Sequence, residues 1–327
     1  MIKTAIATAA VIVVLASALF ISLMVGDQLF TPGQLWSAAL GEGDLLSRIV
    51  LFELRLPRSI MALLVGAALA TAGGIMQGVA RNPLASPDLT GVVAGAACAI
   101  VGVISIVQID TRWLPLVGFG GGLMAGLATF TLAWKGQIQP LRLVLAGVAI
   151  SAVCVSLMAA MLLFSGSEAS ELFFWLAGGL AGRGWDLLDQ LAVWILLPMA
   201  ITFMLSTRFR VLLLDDAVAQ TLGVSVNRWK LFFLMLTAVM ITAAVVIAGP
   251  VGFVGLVVPH ISRRLFDEQR ASWLPINALV GALLLLLADL LARLSPGVQE
   301  VPLGVVTALL GGPWLLWLVS RTSRVIV

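Results

Sequence analysis

Few side chains in this 327-residue chain have the type and spacing to do chemistry, and the foremost are arginines. Arg55 and Arg58 flank Leu56-Pro57 in the run RLPR, three apart and so on one helical face. Pro57 suits a first helical turn, where the positive end of the helix dipole adds to both guanidiniums and attracts an anion. Arg293 follows Asp289 by one helical turn near the end of another apolar run. It is spaced for an intrahelical ion pair, for a C-terminal dipole contact, or to join the other two arginines. The chemistry on offer is recognition of an acidic external partner; the competing reading is interfacial arginines that merely snorkel.

Catalytic patterns are missing. There is no G-x-x-x-x-G-K-[ST], no G-x-S-x-G and no H-E-x-x-H, and Lys3, Lys135 and Lys230 lack glycine-rich loops. Cys98, Cys154 and the single His260 form no metal-ligand cluster, so no cofactor is expected and a metal would arrive inside a ligand. His260 stands beside Arg263 and Arg264 at an expected helix end. A capping or interface role suits it better than a proton relay, which needs several titratable partners at depth.

A second candidate reads LLLDDAVAQTLGVSVNRW over residues 212–229. Asp215 or Asp216 can N-cap a short helix from Ala217 through Thr221 to Leu222, and Gly223 can end it in the left-handed region. Leu222, Val224 and Val226 would then form an apolar ledge flanked by Arg208, Arg210 and Arg228, suited to the groove of a soluble partner. An amphipathic connector lying on lipid is the alternative.

The elements that must position these groups are membrane helices. The chain is 61% hydrophobic and 11% charged, with mean hydropathy +1.12, and reads as one integral membrane domain over residues 1–327. Its nineteen Lys and Arg are scattered among short connections, which points to membrane topology and excludes a nucleic-acid stripe. Residues 4–25, 59–79, 89–107, 114–134, 141–164, 188–205, 231–248, 273–294 and 302–320 are long enough to span. The first reads as a retained helix, not a signal peptide, and residues 171–180, too short to span, read as a half-helix or re-entrant turn.

Residues 248–264, AGPVGFVGLVVPHISRR, are apolar yet broken by Gly249, Pro250, Gly252, Gly255 and Pro259, ahead of His260. Such breaks are tolerated at depth only where protein or a water-filled path covers the freed backbone. This hairpin supplies a short tenth crossing. With both termini cytoplasmic, thirteen basic residues fall inside and six outside (Arg48, Arg55, Arg58, Arg112, Arg183 and Arg293), as the positive-inside rule asks. Small residues at intervals of four, Gly66-Ala70-Gly74-Gly78 and Gly118-Gly122-Gly126, predict close helix packing. Asp289 is the main acid expected inside the membrane, so an ion-driven carrier, the rival reading, lacks its usual relay.

Taken together, RLPR (55–58), GAALATAGGIMQGVARNPLASPDLTG (66–91), LAGVAI (145–150), LGVSV (222–226), GPVGFVGLVVPHISR (249–263), ADLLAR (288–293) and EVPLGVVTALLGGPWLLWL (300–318) resemble the permease subunits of ATP-driven importers for vitamin B12 and iron-siderophore complexes. The resemblance covers essentially the whole chain. It implies an all-α bundle of about ten transmembrane helices with short cytoplasmic coupling helices. It further implies a second permease subunit, identical or paralogous, two ABC ATPase subunits below, a periplasmic substrate-binding protein above, and a metal-chelate substrate crossing the bacterial inner membrane.

By the same resemblance Arg55, Arg58 and Arg293 receive glutamates of the binding protein. Asp215, Asp216, Ala217, Thr221, Leu222, Gly223 and Val224 belong to the ATPase-coupling element, with Asp215 where relatives often carry glycine. The inner gate falls near Gln137, Gln139 and Pro140.

Overall fold

The computed structural model describes the chain except Met1, Asp27, Gly43 and residues 108–110, 136–138, 164–168, 267–271, 295–299 and 323–327. Every regular element among the described residues is helical. In chain order these are α1 (Ile2–Met24), α2 (Pro32–Leu40), α3 (Leu45–Ile49), α4 (Leu56–Ala80), α5 (Val92–Gly102), α6 (Leu114–Ala133), α7 (Pro140–Leu162) and α8 (Ala169–Leu176). There follow α9 (Trp185–Met204), α10 (Ser206–Leu212), α11 (Asp216–Thr221), α12 (Val226–Ala248), α13 (Val254–Leu265), α14 (Trp273–Arg293) and α15 (Leu303–Thr322).

Seven helical stretches are long and apolar enough to cross a bilayer, the longest a continuous run from Leu45 to Ala80 through a π-helical turn at Val50–Arg55. Two shorter apolar stretches, Val92–Val107 and Leu303–Trp317, accompany them. α8, eight residues long, agrees with the expected half-helix.

The core is built where backbones touch. α4 and α12 are largely buried in their spanning windows, whereas α1 and α7 keep most of their surface exposed. Because lipid is as apolar as leucine, helix association here rests on close van der Waals packing rather than on the hydrophobic effect. Gly66 of the predicted stripe and Gly73 beside it supply it on α4. A Cβ at Gly66 would stand 2.3 Å from the Gly281 carbonyl of α14, and one at Gly73 would stand 1.8 Å from the Gly255 carbonyl of α13. Gly118 and Gly122 likewise seat α6 against side chains of α5 and α12.

The expected break is present. α12 ends at Ala248, Gly249 turns at φ +69°, and five residues pass before α13 begins. The freed backbone is covered by protein: the Gly179 N–H donates to the Ala248 carbonyl at 2.8 Å, and the Trp175 carbonyl lies where a Cβ on Gly249 would collide. Phe253 is held at φ +67°, a conformation that costs a residue with a side chain about 1–2 kcal/mol. Its ring carbons fill the notch left by Gly311 of α15. α13 continues through Pro259, whose ring nitrogen leaves the Gly255 carbonyl without its helical donor.

Candidate functional site

At one end of α4 the three predicted arginines line a single cleft of about 310 Å³, together with Glu300 and Arg183. Each of the three is held by this chain's own groups. Arg55, 6% exposed, donates to the backbone carbonyls of Leu23, Met24 and Gln28 and stacks over Phe30. Arg58 donates from Nε and Nη2 to Asp289 and bidentately, at 2.8–2.9 Å, to Glu300. Arg293 pairs with Asp289 at 3.1 Å and donates to Ser22. The intrahelical Asp289–Arg293 pair predicted from spacing is present, but Asp289 is fully buried and serves Arg58 as well.

One expectation is corrected. Arg55 and Arg58, spaced for a shared face, reach different partners: Arg55 turns to the α1–α2 connection and Arg58 to α14. The π-helical turn that closes at Arg55 widens the helix directly ahead of Pro57, so the simple i, i+3 geometry fails there. Sequence reasoning also missed Glu300 as a partner. It lies 242 residues from Arg58, and no local spacing signals such a pair.

The opposite end of α4 meets the predicted coupling element. Arg81 caps α4 at φ +46°, a strained conformation for a non-glycine residue, and is held there by the Leu214 carbonyl and Asp216 Oδ1, both at 2.5 Å. Asp216 also accepts from Lys230 Nζ of α12 at 2.8 and 3.0 Å, and Lys230 is only 2% exposed. One carboxylate therefore ties α11 to both α4 and α12. Asp215 is the N-cap, its Oδ1 accepting from the Ala217 N–H at 2.9 Å, and Gly223 turns at φ +74° as expected.

Ala217, Thr221, Leu222 and Gly223 lie at the surface, Leu222 62% exposed, with Val218 and Leu214 beside it. Val224 and Val226 are buried instead, which corrects the expected ledge. The turn at Gly223 brings the Val224 N–H back to the Ala219 carbonyl at 3.2 Å and sends both valines inward.

Between the two ends lies the break. Gly249, Pro250 and Gly252 form its extended part, and Gly255, Pro259 and His260 fall within α13. The Pro250 carbonyl abuts Gly178 and Gly304. Gln77 of α4 donates to the Leu256 carbonyl at 3.2 Å and accepts from Arg263, so α4 and α13 are laced below the break. His260 and Arg263 line a second cleft, toward the opposite end of α4, of about 450 Å³ with Gln77, Arg81 and Asn82. Asp88, in the 3-10 turn Pro87–Thr90, points its Oδ2 to within 3.9 Å of where a Cβ on Gly252 would stand. It is a second interior acid that the sequence reading did not count.

Of the predicted inner-gate residues, Gln139 precedes α7 as its N-cap and Pro140 begins that helix, while Gln137 lies outside the described residues. Among the described residues there is no group of His, Cys, Asp and Glu able to hold a metal ion.

The architecture has relatives. The FecCD transport family matches over residues 12–321. The Fe(3+) dicitrate transport system permease protein FecD of Escherichia coli K12 is 44% identical over 83% of this chain and 85% of its own length. The Fe(3+)-citrate import system permease protein YfmE of Bacillus subtilis is 39% identical over 93% and 91%. Among solved structures, a metal-chelate type ABC transporter in an inward-facing conformation superposes with a TM-score of 0.86 at 32% identity, covering 96% of this chain and 98% of that one. On these matches the chain belongs to the FecCD transport family.

Proposed function

We infer that this chain is the permease subunit of an ABC importer and that its cargo is a ferric chelate built on carboxylates. The observation that carries the cargo class is the 44% identity to the E. coli ferric dicitrate permease over most of both chains. The chain contributes a conduit, and its motion is alternating access between the outer arginine cleft and the inner cleft beside His260.

A substrate-binding protein docks over Arg55, Arg58 and Arg293, offering carboxylates to the guanidiniums that line the rim. Two ATPase subunits seat at Asp215–Val224, where α11 exposes Val218 and Leu222 on a helix rooted by Asp216. Their closure would act on α4 and α12 together. A second permease subunit completes the pathway; exposed apolar faces on α7 and α15, such as Leu145, Val153, Leu309 and Leu316, are surfaces for lipid or for that subunit. Nine spanning helices and the short α13 make ten crossings with both termini in the cytoplasm of a bacterial inner membrane, which the charge balance supports.

The energy source follows from the same geometry. Each partner shifts the two-state equilibrium only by its preference for one state; the sequence has no nucleotide-cradle motif, and among the described residues there is no chain of titratable groups at depth. Vesicles holding the reconstituted complex test it. Ferric citrate uptake from loaded binding protein is expected to require ATP on the ATPase side and to survive an uncoupler. Uptake that proceeds without ATP and collapses with the uncoupler would establish an ion-driven carrier instead.

A further inference from the structure

The outer cleft contains a cation whose position the docking scheme leaves unexplained. Among the described residues four guanidiniums line it, from Arg55, Arg58, Arg183 and Arg293, against two carboxylates, Glu300 in the lining and Asp289 beneath. Both oxygens of Glu300 bond Arg58, and Asp289 is shared by Arg58 and Arg293. Arg55 is satisfied by backbone. Among the described residues no acid and no hydrogen-bond acceptor meets the Arg183 side chain, whose Nε is buried without a partner, while its backbone N–H donates to the Leu180 carbonyl at 3.3 Å. Burial alone lowers its pKa, with no anion acting against it. Arg183 is half-buried, and a guanidinium partly withdrawn from water without a compensating partner is held there at a cost; a perturbed charge that lines a cleft is a candidate for meeting a ligand.

The backbone beneath Arg183 is fixed. Gly178 and Gly182 turn at φ +78° and +69°, the Gly178 carbonyl accepts from the Leu303 N–H at 2.8 Å, and the Trp185 indole donates to the Phe52 carbonyl at 2.8 Å. Arg183 is thus presented by a braced loop. It also lines the adjoining cavity of about 230 Å³, whose walls combine Phe174, Trp175 and Pro302 with Arg58 and Glu300, so it stands between the two spaces. The cleft of about 310 Å³ is at the lower end of the size that small ligands occupy, and the cavity of about 230 Å³ adjoins it.

We propose that Arg183 is the carboxylate-receiving group of the outer cleft, taking an anionic oxygen of the cargo chelate as it leaves the binding protein. The planar fork of arginine suits a carboxylate bidentately. This rests on the ferric carboxylate reading above, and the test separates the two.

The complete complex in vesicles is measured as wild type, R183Q and R183K, for ferric citrate uptake from saturating loaded binding protein and for the docking affinity of empty binding protein. R183Q is expected to lower uptake about tenfold or more, as loss of a charge-assisted bond predicts. R183K, which keeps charge but loses the fork, is expected to fall between. Docking of empty binding protein is expected to stay within about twofold, since the rim charges are untouched.

Unchanged uptake in R183Q overturns the proposal. So does an equal loss of empty-protein docking, which makes Arg183 a contact for the binding protein. Poor assembly of R183Q beside wild-type uptake in R183K also overturns it, because the role would then be structural. A wild-type complex that moves no ferric citrate sinks the cargo reading, and the proposal with it.

Discussion

The two ends of α4 solve opposite problems with the same kind of bond. At one end, buried Asp289 and Arg293, largely buried Arg58 and exposed Glu300 form a network in which the charges are paired within the chain. At the inner end, Asp216 joins two buried or strained basic partners, Lys230 and Arg81, while the helix it begins stays exposed. That network is a closed latch, so under the proposed function an external protein would compete for arginines that already have partners. The inner one is a lever with an anchored root and a free apolar surface. If the proposed function holds, the difference teaches where each partner would act: exchange of ionic partners at one end, mechanical pull at the other.

The largest effect should come from opening the latch from within. Asp289→Ala leaves the Arg58 and Arg293 guanidiniums half-answered in a buried site, and removal of one member of a buried pair costs about 3–5 kcal/mol. Thermal unfolding of the purified complex is expected to drop sharply, with Asp289→Asn milder. An unchanged midpoint would mean that the network is open in solution and that the contrast between the two ends is false.

At the inner end, Leu222→Glu alters a side chain 62% exposed, so stability of the permease should hold within about 0.5 kcal/mol. Association with the ATPase subunits is expected to weaken by about 1–3 kcal/mol if Leu222 fills their groove. Copurification at wild-type stoichiometry and affinity would move the seat elsewhere.

The smallest change is the most discriminating. Glu300 is 37% exposed and competes with any external carboxylate for Arg58. Glu300→Gln is expected to tighten docking of the binding protein by about 1 kcal/mol or less, an effect that shrinks as salt rises. Weaker docking would mean that Glu300 orients Arg58 for its partner and does not occupy it.

Much of this was legible in the residues themselves. Helix length, the glycine stripe of α4, the break at Gly249–Phe253, the Asp215 cap and the Gly223 stop are all local, written within a few positions of where they act. The Asp289–Arg293 pair is one turn long and was equally readable. What escaped was long in sequence: Glu300 on Arg58, Ser22 under Arg293, and Lys230 reaching back to Asp216 across a turn. These depend on which helices pack together, which periodicity does not encode. Val224 and Val226 failed for a subtler reason. An apolar run beside a short helix reads the same whether the turn at its end throws the run outward or folds it inward, and here backbone pairing to Ala219 folds it inward.

The account stands on force entering at α11 and passing through one carboxylate. Its most direct test is Asp216→Asn, with ATP hydrolysis stimulated by loaded binding protein and uptake measured in the same vesicles. Assembly and basal hydrolysis should persist while the uptake obtained per ATP falls about tenfold or more, since two charge-assisted bonds are weakened, and Asp216→Glu should restore part of it. Wild-type uptake per ATP in the Asn variant would contradict the account.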